Sequence, residues 1–310
     1  MTQERQDRKG CRPQHPLPRK QVQTMLPYPP IMSRLLISVI IPLVILLGSM
    51  SLSAQEGPDV IWISADGISR HTFYALLQKK KLPNIQKLIR QGNYRNMDIL
   101  TPDPQLGYVH FLTGLNNAAA IDPATRKIKK MATVFEKTKD NYPELAVHLF
   151  LSETDAPQTP LSLLNKTHLQ NAGIGLMTST ADSQLLSAAE KVIAKKSPFF
   201  IFIQQSDPAA SVFRYREGTE HYSDSILTFD RHIGQLLAYY KQANRKNQLY
   251  VIISSSYGFE KNSRKPKAES WVLSNHVVTR KAFSGDIVPS ILRLYGIPAQ
   301  RPPYIGNRFF

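Results

Sequence analysis

Three short apolar runs constrain this chain most: Val60–Ser64 (VIWIS), Phe199–Ile203 (FFIFI) and Leu249–Ile253 (LYVII). None alternates apolar with polar residues, so each reads as a strand buried on both faces, which a parallel sheet covered by helices requires. Helix-period segments lie between them. Ser69–Lys79 reads as one helix, and Pro83-Asn84 starts another, with Ile85, Leu88 and Ile89 on one stripe and Gly92 as its stop. Tyr108–Leu112, Lys130–Lys139 and Ser162–Gln170 read as further helices. Asp182 reads as the N-cap of Ser183–Lys195, and Ser223–Tyr240 carries Ile226, Phe229, Ile233 and Leu236 at helical spacing. Leu145–Phe150 and Trp271–Val278 read as strands, and Asp286 begins a last helix, Ile287–Tyr295. A bundle or a β-sandwich would need different apolar runs. The expected fold is an α/β three-layer sandwich, with a mostly parallel central sheet and helices on both faces.

The N-terminal region differs in character. Residues 1–31 are basic and proline-rich, and read as a dispensable extension ahead of a true start at Met32 or Met25, or as a long basic leader. Residues 32–54 contain the apolar run Leu35–Met50 and end in Ser51-Leu52-Ser53-Ala54, the layout of a signal peptide cut after Ala54. Retention of this segment as an uncleaved anchor is the competing reading, although the run is shorter than the roughly 20 residues that cross a bilayer comfortably. Residues 55–310 show no linker, repeat or low-complexity tract and read as a single domain. The expected location is therefore exported, periplasmic or extracellular, with membrane contact only if residues 32–54 are retained.

Charge and cysteine content narrow the function. The chain carries +16, and loss of residues 1–54 removes seven Lys or Arg and two Asp or Glu, leaving +11. Such a balance favours anionic partners. Export, together with the lack of zinc-finger or RNA-recognition motifs, excludes nucleic acid. Cys11 is the single cysteine, so neither a disulfide scaffold nor a Cys-rich zinc site is available.

Chemistry in an open α/β sheet gathers beyond the C-terminal ends of its strands. Three stretches fall there: Asp66 after VIWIS, Asp207 after FFIFIQQS, and Ser254-Ser255-Ser256-Tyr257-Gly258 after LYVII. Two converging carboxylates can hold a hard divalent cation or position a water. Equally, each Asp can cap a helix.

The segments VIWISADGISR, LPNIQKLIRQG, the Leu112–Gly114 stretch, SDPAA, HYSDSILTFDRHIGQLL, VIISSSYGF and GDIVPSILRLYGIP occur in an order that resembles the alkaline phosphatase superfamily, in its phosphodiesterase, nucleotide pyrophosphatase and sulfatase-like branch. The resemblance spans about Asp59 to Phe310 and implies the three-layer fold, two zinc ions and a Ser or Thr nucleophile. It makes Asp66 a ligand of the metal that activates the nucleophile. It puts the nucleophile nine residues before Thr113, where this chain has Pro104, with Thr101 a relocated candidate. The D-x-x-G-H motif keeps Asp207 but has Ala210 and Ser211 in place of Gly and His, and the S-D-H-G motif has Ser256 and Tyr257 in place of Asp and His. The last family histidine has no match: Asn262 or Ser263 falls near one common position, and His276 is the only histidine in the interval.

Serine hydroxyls and a phenol are poor zinc donors. The expectation is accordingly a degenerate member with no catalytic residue and no cofactor, keeping Asp66 and Asp207 as residual or vestigial ligands. The alternative is a divergent metal-dependent phosphodiesterase or phosphatase, with one metal on Asp66, Asp103 and Asp207 (zinc, or magnesium or calcium at such a reduced site) and with His221 swung toward Asp207. Basic side chains Lys261, Arg264, Lys265 and Lys267, just after the third motif, are candidates to hold an anion. An anionic small molecule, a glycan or an envelope surface is the expected partner.

Overall fold

The computed structural model describes residues 57–153, 160–195 and 198–310. The extension 1–31, the leader 32–54 and Cys11 lie outside the described residues. Among the described residues, eight strands form one sheet: β1 (Asp59–Ala65), β2 (Asn93–Asp98), β3 (Ala146–Ser152), β4 (Gly175–Ser179), β5 (Phe199–Gln205), β6 (Leu249–Ser254), β9 (Glu269–Ser274) and β10 (Ala282–Phe283). Between β6 and β9, β7 (Gly258–Phe259) and β8 (Pro266–Lys267) make a separate antiparallel pair. The large sheet runs β10-β2-β9-β6-β1-β5-β3-β4, and only β9 is antiparallel to its neighbours.

Among the described residues ten helices cover it: α1 (Arg70–Gln78), α2 (Pro83–Gln91), α3 (Pro104–Thr113), α4 (Asn117–Ala120), α5 (Val134–Asn141), α6 (Lys166–Asn171), α7 (Asp182–Ile193), α8 (Asp207–Tyr215), α9 (Glu220–Gln242) and α10 (Ile287–Leu294). The unbroken apolar strands now have their reason. Val60 and Trp62 of β1, with Phe200 and Phe202 of β5, pack into a core with α3, α5, α6 and α10. Ile61 and Ile63, with Phe199, Ile201 and Ile203, pack on the other face against α1, α2, α7, α8 and α9. Alternate residues thus feed two cores. The expected three-layer α/β sandwich is what the chain forms.

Local signals moved several boundaries. Asp103 caps α3 by accepting from Gln105 N–H and Leu106 N–H, so that helix starts at Pro104 rather than Tyr108. Thr133 and Glu136 form a reciprocal capping box, which starts α5 at Val134 instead of Lys130. The helix expected over Ser162–Gln170 divides into a short 3-10 turn at Pro160–Ser162 and α6, capped by Asn165. Asp182 is the first residue of α7 and not its cap, which is Ala181. The strand read as Trp271–Val278 covers Glu269–Ser274. Strand β2 went unread because its sequence, NYRNMD, buries only Met97.

One ion pair fixes the N-terminal end of β1. Asp59 is fully buried, and Arg245 grips both its oxygens, Nε to Oδ2 at 2.5 Å and Nη2 to Oδ1 at 2.9 Å. Tyr240 donates to the same carboxylate at 2.9 Å, and the Phe199 N–H at 3.3 Å, tying β1, β5 and the C-terminal end of α9 together. Removing one partner leaves a buried, uncompensated charge. Asp59→Ala is predicted to cost about 3–5 kcal/mol in denaturant unfolding; a loss below about 1 kcal/mol would contradict this role.

Candidate functional site

Strand β1 delivers Asp66 and Gly67 to the C-terminal edge of the sheet. Gly67 has φ +75°, and a Cβ there would lie 2.7 Å from the Ala209 Cα and 2.8 Å from the Phe259 ring, so no larger residue fits. The turn is held by the Asp66 N–H, which donates to the Gln205 carbonyl at 3.0 Å.

The Asp66 carboxylate is 1% exposed and fully engaged. Its Oδ1 accepts from Ser64 Oγ at 2.6 Å and Ser256 Oγ at 2.7 Å. Its Oδ2 accepts from Gln204 Nε2 at 2.7 Å and from the Tyr108 hydroxyl. Each carboxylate oxygen has two lone pairs, so the four donors use them all. They come from β1, β5, the β6 exit and α3. Burial raises the Asp66 pKa, and the four hydrogen bonds partly oppose it. Burial, and then the Asp66 charge, raises Tyr108 and Tyr257 well above 10, so both phenols stay neutral.

The residues that stand at family ligand positions therefore do other work. Ser256 is a hydrogen-bond donor to Asp66. Tyr257 is buried, with its ring edge-on to Phe259 at 5.5 Å. Pro104, at the nucleophile position, is the first residue of α3 and is buried. Thr101 Oγ1 accepts the Asp103 N–H at 3.2 Å, while the Asp103 carboxylate caps α3. A zinc ion needs lone pairs directed at a shared open point; Asp66 has all of its own committed to donors, and Asp103 has Oδ1 committed to the α3 cap. The donors present do not fit a family-type metal centre. Among the described residues, no group of three or more His, Cys, Asp and Glu is placed to hold a metal ion.

Asp207 sits apart from this network. Its N–H donates to Asp182 Oδ2 at 3.2 Å, and a cleft of about 380 Å3 opens beside it, walled by Thr180, Ser211, Arg214 and Asp224. Ser211 Oγ is buried without a protein partner. The His221 ring packs on Tyr215 at 4.2 Å. Asn262 N–H donates to the Glu217 carboxylate at 2.8 Å, and Ser263 N–H to the Glu260 carbonyl at 3.1 Å. His276 lies at the far end of β6, stacked on Tyr250 at 3.9 Å. His232 is half-buried with Nδ1 3.3 Å from Gln205 Oε1. Of the basic candidates, Lys265 pairs with Glu260 at 2.9 Å, Lys267 with Glu269 at 3.1 Å, and Arg264 donates to the Arg214 carbonyl at 2.9 Å. Only the Lys261 ammonium is left without such a partner among the described residues.

Sequence reasoning missed Ser64, Tyr108, Gln204 and Asp182. Gln204 carried a signal: it is a polar residue in a strand otherwise apolar through Ile203. Tyr108 carried none, because a tyrosine in an apolar helix reads as core.

Residues 103–300 match the family model for type I phosphodiesterase / nucleotide pyrophosphatase. Among solved structures, the lipoteichoic acid synthase LtaP from Listeria monocytogenes is 12% identical, with 83% of this chain and 76% of that chain covered at a TM-score of 0.59. A protein in the alkaline phosphatase superfamily from Vibrio parahaemolyticus is 16% identical, over 81% and 69%, at 0.58. BT4656, in complex with its substrate D-glucosamine-2-N,6-O-disulfate, is 11% identical, over 81% and 79%, at 0.56. These likenesses carry the fold. No curated protein matches the chain at a significant level.

Asp182 and Asp207 share a buried corner. Burial, and then the Asp207 charge, raise the Asp182 pKa from 3.8 to about 7, and burial raises Asp207 against the opposing Arg214. A carboxyl raised on folding holds its proton where the unfolded chain has released it, so its contribution to stability falls as pH rises between the two values. Wild type is predicted to lose stability relative to Asp182→Asn from about pH 4 to about pH 7, after which the difference levels off. Unfolding of both proteins across this range checks it, and a pH-independent difference would contradict it.

Proposed function

Because this chain belongs to the type I phosphodiesterase / nucleotide pyrophosphatase family, yet commits its central carboxylate to four neutral donors, we propose that it is an exported, non-catalytic member of the alkaline phosphatase superfamily that binds an anionic ligand. A glycan or another envelope component is the class of partner we favour. Export would proceed through residues 32–54, which are then either cleaved or kept as an anchor.

The observation that carries this reading is the saturation of Asp66. In a two-metal phosphoryl or sulfuryl transfer, metals activate the attacking oxygen and neutralise the charge that develops on the leaving group. Here Ser256 and Tyr108 occupy the lone pairs such a metal would need, and Pro104 offers no oxygen to attack. A rebuilt site on Thr101 and Asp103 would have to share the Asp103 carboxylate with the N-terminal cap of α3. The ligand class rests on the positive charge of the chain and on the company it keeps, which includes a relative holding a disulfated sugar.

Purified protein supplied with zinc, magnesium, manganese or calcium is predicted to turn over neither phosphomonoesters, phosphodiesters nor sulfate esters. Asp66→Asn should leave that result unchanged while lowering stability by about 1–3 kcal/mol, because the amide turns a donor toward donors. Stoichiometric bound metal with turnover that Asp66→Asn abolishes would overturn the reading.

A further inference from the structure

The basic hairpin after β6 is largely neutralised by its own carboxylates and carbonyls, so an anion needs cations elsewhere. They occur at the opposite end of the sheet, where Pro58 enters β1 and Gln248 enters β6. Two clefts of about 570 Å3 and 810 Å3 are both lined by Arg293 and Arg308. No Asp or Glu side chain lines either cleft, and Phe310, which bears the α-carboxylate, lines the smaller one alone. Elsewhere Arg70 is paired with Glu269, Arg245 with Asp59 and Arg280 with Asp286. The guanidinium groups of Arg293 and Arg308 have no acceptor among the described residues. A third guanidinium, that of Arg301, is held at the second cleft by the Ile305 and Gly306 carbonyls.

We propose that this paired cleft binds the sulfate or phosphate groups of an anionic saccharide, with Arg293 and Arg308 as the shared cationic wall. The inference rests on the anion-binding reading above and gives it a place. Guanidinium groups match tetrahedral oxyanions through paired N–H donors. The amides of Gln248, Gln300 and Asn307 line the same clefts and suit sugar hydroxyls. Tyr250, fixed by stacking on His276 at 3.9 Å, gives an aromatic face at the lip of the smaller cleft.

Arg293 has a simpler candidate role, as a cation at the C-terminal end of α10. That end is already satisfied: Gly296 N–H takes the Arg293 carbonyl and Ile297 N–H the Leu292 carbonyl, both at 2.9 Å. A helix-end role also accounts for one arginine and not for Arg308 on the same wall. Two adjoining clefts with a common cationic wall suit a chain bearing more than one charge better than a single free ion.

The test titrates the full chain with a sulfated heparin hexasaccharide, its desulfated counterpart, inorganic sulfate and inorganic phosphate. The sulfated hexasaccharide is expected to bind more tightly than the desulfated one. Arg293→Ala with Arg308→Ala should weaken it by about tenfold or more, as loss of charged hydrogen bonds implies. Lys261→Ala with Arg264→Ala should leave it within about twofold. These arginines are exposed, so both variants are expected to keep the wild-type melting temperature, which is measured alongside. If binding survives the arginine pair and falls with the Lys261 pair, this site is refuted while anion binding stands. If wild type binds none of the probes, both fail. Tighter binding to vesicles of anionic phospholipid than to the hexasaccharide would also overturn the saccharide assignment.

Discussion

A carboxylate removed from water must be given partners worth nearly what water offered. In this domain that requirement organises the C-terminal edge of the sheet. Asp66 draws Ser64 from its own strand, Gln204 from β5, Ser256 from the β6 exit and Tyr108 from α3, so one buried group holds four elements in register. Glycine at position 67 lets α8 close over it. Strand β1 carries a second buried carboxylate at its other end, where Asp59 is gripped by Arg245. The two solutions differ in kind: a full ion pair at one end, neutral hydroxyls, a phenol and an amide at the other. The neutral set leaves Asp66 with a raised pKa, a group kept for geometry more than for charge.

The superfamily frame survives because its packing does not depend on its metals. Val60, Trp62, Phe200 and Phe202 fill one core and Ile61, Ile63, Ile201 and Ile203 the other, whatever stands at the strand ends. Ligand positions sit at those ends, where a carboxylate and an imidazole can be exchanged for Ser256 and Tyr257 provided the hydrogen bonds are refilled. Ser256 refills one by donating to Asp66, while Tyr257 joins the apolar layer beside Phe259. What remains open lies elsewhere, beside Asp207 and on the Arg293–Arg308 wall.

Much of the fold was legible because both faces of β1, β5 and β6 are buried, and that leaves an unmistakable apolar run. Strands with a polar sequence escaped: β2 buries Met97 alone, and β4 is short and half-exposed. At the site, the displaced motif positions Pro104, Ser256 and Tyr257 were legible by resemblance, since a missing hydroxyl or imidazole shows in the letters. What replaced them was not. The partnership of Tyr108 with Asp66 joins residues 42 apart, and that of Gln204 joins residues 138 apart. No local pattern encodes such pairings. Asp182 was read as a helix cap because its neighbour across the corner, Asp207, lies 25 residues away in the chain.

The most direct test of the central claim, that Asp66 is a hydrogen-bond hub and no longer a metal ligand, is anomalous diffraction at the zinc edge from crystals soaked in zinc. The account predicts no anomalous peak within coordination distance of the Asp66 carboxylate, with Ser64, Tyr108, Gln204 and Ser256 all still in place around it. A full-occupancy zinc on Asp66, with Ser256 or Tyr108 turned aside, would contradict it.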